Sequence, residues 1–133
     1  MKKILTIMLC LCMAAALLGA QSTQRQKMLH MAAVRIAEQI GVREDAKAQF
    51  ITLYQSYKKE TAAVNAAAVE QPSDPEEAAE AKILGDFDKS AKILSLRRSY
   101  YTRFRTILSP SQIQKMYDIE RAWVAENAAR KGR

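Results

Sequence analysis

The stretch PEEAAEAKILGDFDKSAKILSLRRSYYTRFRTIL, Pro75 to Leu108, decides the fold. Its one proline stands first, where a missing N–H costs a helix nothing. Ala, Leu, Glu, Lys and Arg dominate the rest of the stretch, and these are strong helix formers. As a single helix it would span roughly 51 Å at 1.5 Å per residue. A compact domain of this size is only about 35 Å across. The stretch therefore predicts an elongated molecule or a kink, with Gly85 the natural place for one.

The same stretch carries two apolar stripes. Leu84, Phe87, Ala91, Leu94, Tyr101 and Leu108 cluster on one side, and Ile93, Leu96, Tyr100 and Ile107 cluster about 120° away, with Phe104 between them. Arg97, Arg98 and Arg105 flank the first stripe, and Arg103 points elsewhere. A helix with two apolar sides needs two partners. One is the rest of its own fold; the other is a second subunit or a bound polypeptide.

Its neighbours read as helices too. Upstream, Glu70-Gln71-Pro72-Ser73 is a break, Asp74 an N-cap, and Glu77 an acid three residues on. Downstream, Ser109 is an N-cap, Pro110 the first helical residue and Gln112 the reciprocal partner of a capping box. That opens a helix running through Trp123 to about Ala128. Before the break, a helix from about Gln24 to Ile40 ends at Gly41. Another runs from about Glu44 to Val69, with Phe50, Leu53, Tyr54, Tyr57, Thr61, Val64 and Ala68 on one face. The expected fold is all-α: four helices with a long central one, elongated.

The first twenty residues differ. Lys2 and Lys3 precede an apolar run from Ile4 to Leu18, and Gly19-Ala20 supplies small residues before polar Gln21. This is the pattern of a secretory signal peptide, residues 1–20, too short for a stable membrane span. Cleavage removes both cysteines, Cys10 and Cys12. The mature chain, residues 21–133, then forms no disulfide and holds no thiolate metal site.

The 133 residues carry 21 basic and 14 acidic groups; without Lys2 and Lys3 the mature balance is 19 to 14, or +5. Residues 71–91 hold 2 basic and 6 acidic groups, whereas 92–133 hold 10 and 3. Export argues against nucleic acid as the partner of this basic surface and favours anionic lipid, acidic polypeptide or the cell envelope. With one His and no Gly-rich loop, nothing suits a catalytic triad or a phosphate cradle, so the chain does not read as an enzyme. Met28, His30 and Met31 are too few ligands for a metal centre, and no cofactor is expected.

Leu108-Ser109-Pro110-Ser111-Gln112 fits the L-[ST]-x-x-Q motif of the Spy/CpxP periplasmic proteins. Val42-Arg43-Glu44-Asp45-Ala46 takes the place of that family's first copy, without its hydroxyl cap or its Gln. Phe50 to Lys59 and Ile93 to Glu120 also resemble the family, the latter its Bacteroidetes members. The resemblance implies a cradle-shaped homodimer joined through long helices. It implies an ATP-independent periplasmic chaperone for unfolded or misfolded envelope proteins, or a regulatory partner of an envelope-stress sensor kinase or anti-sigma system; heavy-metal sensing fits less well. Leu108, Ser109 and Gln112 are read as a helix cap. Arg97, Arg98 and Arg105 with Ile93, Leu96, Tyr100, Phe104 and Ile107 are the candidate client-binding residues.

Overall fold

The computed structural model describes residues 23–132. The expected signal peptide, residues 1–20, lies outside the described residues. The chain is all-α. Helix α1 occupies residues 23–40, α2 Lys47–Ala66, α3 Pro75–Phe104 and α4 Pro110–Lys131. A short 3-10 turn, Glu44–Ala46, leads into α2. There is no strand among the described residues.

Each helix end has a chemical cause. Gly41 adopts φ 73°, which an L side chain resists. There, Val42 N–H donates to the Ala37 carbonyl (3.0 Å) and Gly41 N–H to that of Glu38 (3.3 Å), closing α1 in a Schellman arrangement. Val42 is buried and seals the turn. Arg43 caps the following 3-10 turn without a side-chain hydrogen bond, the structural counterpart of the lost hydroxyl. The expected helix from Glu44 thus begins as a tighter turn and becomes α-helical at Lys47. At its other end α2 stops at Ala66 rather than Val69, because residues 65–68 are exposed and bury nothing that would sustain the helix.

Asp74 accepts the Glu77 N–H at 3.1 Å and opens α3. The helix is continuous through Gly85, so no kink breaks it there. Its 30 residues still reach roughly 45 Å, longer than a compact domain of this size is wide. Gly85 has another purpose. A Cβ there would stand 2.9 Å from Cγ2 and 3.0 Å from Cγ1 of Val69, so the linker 67–74 lies directly against the helix. α3 ends at Phe104, short of the expected Leu108. Pro110 drives Ser109 into extended backbone (φ −76°, ψ 160°), and the chain unwinds through Arg105–Ile107 to reach it.

The core gathers at the end of the molecule where Gly41 and Ser109 turn the chain. Ala33, Ile36, Ala37 and Ile40 of α1 pack with Phe50, Tyr54 and Tyr57 of α2, Tyr100 and Phe104 of α3, and Ile113 and Met116 of α4. Aromatic rings form its centre. Phe50 and Phe104 stand 5.8 Å apart between centroids, and Tyr57 and Tyr100 stand 5.4 Å apart. These tilted geometries suit the ring quadrupoles and add about 1 kcal/mol per pair to the burial itself. The order of contacts makes α2 and α3 an antiparallel hairpin. Before Tyr100, α3 has no fully buried residue, only half-buried positions at helical spacing (Ala78, Ala81, Gly85, Lys89, Ile93, Leu96). The hairpin therefore extends past the core as a two-helix arm.

Candidate binding surface

The arm leaves one side of α3 uncovered. Leu84, Phe87, Leu94 and Tyr101 are 53%, 66%, 53% and 43% exposed. They follow one another at intervals of three or seven residues, which holds them on one side of the helix. Leu96, Tyr100 and Ile107 face the other way, into the fold. Of the two stripes, then, the second is the internal one, and the first is open except at Leu108, which is buried beside the turn.

This places each candidate residue. Tyr100 and Phe104 are 1% and 0% exposed: they are core, not contact surface. Leu96 and Ile107 are half-buried against that core. Ile93 is half-buried on the arm. Arg97 and Arg98 are exposed. Arg105 is turned to the end of α3, where its Nη1 donates to the Leu108 carbonyl at 2.7 Å and holds the unwound turn. The physical reason for the difference is the α2 contact. Tyr57 and Phe50 occupy the space in front of Tyr100 and Phe104.

Two shallow clefts meet at Arg97. One is lined by Asn65, Lys89, Ser90, Ile93, Leu94 and Arg97. The other, of about 420 Å³, is lined by Arg97, Arg98, Tyr101, Thr102 and Tyr117. No carboxylate lines either. The Arg97 guanidinium stands 5.5 Å above the centre of the Tyr117 ring, a cation–π arrangement. Its hydrogen-bond pairing with Tyr57 raises its pKa further, so it is a fixed cation. The nearby carboxylates hydrogen-bond to other side chains, although the Glu120 charge is felt at Arg97. Glu120 accepts from Lys58 at 2.9 Å, linking α4 to α2, and Asp118 accepts from Gln114 and Arg121 at 3.1 and 3.3 Å. Burial raises the Tyr117 phenol above its usual pKa, so this floor of the cleft stays neutral.

A wider groove runs between α1 and α4, past Met31, Arg35, Glu38, Trp123 and Arg130. It has no charge bias, because Glu126 pairs with Arg130 at 2.8 Å. His30 on α1 lies near it in sequence but faces α2, its Nδ1 3.5 Å from Gln55 Nε2.

The cap residues do more than cap. Ser109 Oγ accepts the Gln112 N–H (3.2 Å), and Gln112 Oε1 accepts the Ser109 N–H (2.9 Å), completing the box. The Gln112 amide nitrogen also donates to the carbonyls of Ile40 and Gly41, at 3.2 and 3.0 Å. Those are orphan carbonyls at the end of α1. The sequence carries no signal of this bridge, since it spans some seventy residues. Nor does it mark Tyr117, because a cleft wall depends on how α3 crosses α4.

A scan of family models, a search of curated proteins and a search of solved structures find no match to this chain.

Proposed function

We propose that this protein is a periplasmic, ATP-independent chaperone-like protein that holds non-native envelope polypeptides. The carrying observation is the outer side of α3, where large apolar side chains stand exposed beside arginines in a cleft that no carboxylate lines. An apolar row of this size on a small domain is a contact surface. Arginines collect acidic chains from a distance, and scattered apolar contacts accept many sequences without selecting one.

The expected homodimer then pairs through surfaces other than this row, which stays open for clients.

The test uses the chain from Gln21 onward. It should sediment as a dimer and slow aggregation of unrelated denatured proteins, with less effect as salt rises from about 50 to about 500 mM. No suppression, together with one stoichiometric partner recovered from the envelope, would instead assign a regulator of a stress sensor.

A further inference from the structure

The cleft between α3 and α4 has a chemistry more specific than loose capture. It is bounded by two guanidiniums, two tyrosines and the Thr102 side chain, and its volume of about 420 Å³ exceeds that of one aromatic side chain. Arg97 lies over the Tyr117 ring, 5.5 Å from its centre, so its charge is oriented before anything binds. Arg98 makes no side-chain ion pair among the described residues. Tyr101 is 43% exposed at the mouth. The Thr102 hydroxyl is already committed to the Arg98 carbonyl at 3.3 Å, so recognition falls to the arginines and the rings.

We propose that this cleft binds an acidic-aromatic peptide segment, with a carboxylate on Arg98 and a neighbouring aromatic ring on Tyr101. Charge complementarity selects the occupant. A planar guanidinium takes a carboxylate through two parallel N–H···O bonds, which an ammonium cannot match. Arg97 adds a second positive charge at short range, while the exposed Tyr101 ring offers a face to stack against. Basic or purely aliphatic segments gain neither contact. The inference deepens the capture reading by naming which part of a client is held first, and it rests on that reading for its physiological sense but not for its measurement.

The test is fluorescence anisotropy with three labelled hexapeptides of alternating composition: Asp-Phe, Asn-Phe and Asp-Ala. The full mature chain should bind the Asp-Phe peptide about tenfold more tightly than either control, the worth of one charged hydrogen-bond pair or one stacked ring. Arg98→Gln should remove that preference, and Arg98→Lys should restore only part of it. Arg98 is exposed, so neither change threatens the fold. Equal binding of all three peptides, or a preference unchanged in Arg98→Gln, overturns the site. So does an Arg98→Gln variant that turns from dimer to monomer while peptide binding is unaltered, since the arginine then serves the subunit contact. A chain that binds the Asp-Phe peptide but suppresses no aggregation supports the site and contradicts the chaperone reading alone.

Discussion

The side-chain amide of Gln112 donates to the Gly41 carbonyl at 3.0 Å, fastening the first turn of α4 to the last turn of α1. Because Gln112 also returns a hydrogen bond to Ser109, one side chain closes two helix ends at once. The motif that opens α4 is therefore a joint between the two halves of the chain as well as a cap.

Ser109 and Gln112 should consequently differ. Ser109→Ala removes the N-cap acceptor and should cost about 1 kcal/mol. Gln112→Ala removes its half of the box and leaves the Ile40 and Gly41 carbonyls without that partner, so it should cost about 2 kcal/mol. Chemical denaturation of both variants measures this. Equal losses would mean that the bridge to α1 contributes nothing.

Gly85 and Val69 form a second checkable pair. Gly85→Ala improves helix propensity by up to about 1 kcal/mol in an open helix. Here the new methyl meets Val69, and the linker has to shift. In a Val69→Ala background the same change should gain at least about 0.5 kcal/mol more than in the parent. A double-mutant cycle with additive effects would show that Val69 moves away freely.

Alkaline pH should unfold the protein through its buried phenols. Burial, with the Glu120 charge second, raises the Tyr54 pKa, and burial raises that of Tyr117. A phenol whose folded pKa exceeds its unfolded value, about 10, favours the folded state while protonated. That contribution is complete below about pH 10 and is lost as pH rises through the folded value. Stability should be flat from about pH 7 to about pH 9 and then fall. Tyr54→Phe should flatten the fall above about pH 10 by about 1.4 kcal/mol per pH unit. An identical alkaline slope in Tyr54→Phe would dissociate Tyr54 from it.

The two sides of α3 should answer mutation differently. Phe104→Ala empties a fully buried ring site and should cost about 3–5 kcal/mol, a large share of the stability of an ordinary domain. Leu94→Asp places a charge on the open side, where it should change stability by less than about 0.5 kcal/mol. Circular dichroism melting curves distinguish the two; a Leu94→Asp variant as damaged as Phe104→Ala would mean that Leu94 is packed within the fold.

Helix order, the Gly41 stop, the Asp74 cap and the Ser109–Gln112 box are legible in the sequence because each is a local hydrogen-bond problem with few solutions. The end of α3 is harder. Leu108 continues the apolar spacing, and only the extended backbone that Pro110 imposes on Ser109 ends the helix earlier. The two stripes of α3 are legible as stripes, but not which one the fold covers. That depends on Phe50 and Tyr57 meeting Phe104 and Tyr100 across the hairpin. For the same reason Tyr100 and Phe104 read as surface candidates and prove to be core, whereas Tyr117 enters the cleft only through the crossing of α4.

Capture of non-native chains on the open side of α3 is measured by light scattering. Two unrelated denatured proteins are diluted into buffer with the parent chain or with a Phe87→Asp, Leu94→Asp double variant. The parent should suppress aggregation of both, and the variant, with unchanged helicity and melting temperature, should suppress neither. Equal suppression by the folded variant, or none by the parent, would contradict that capture.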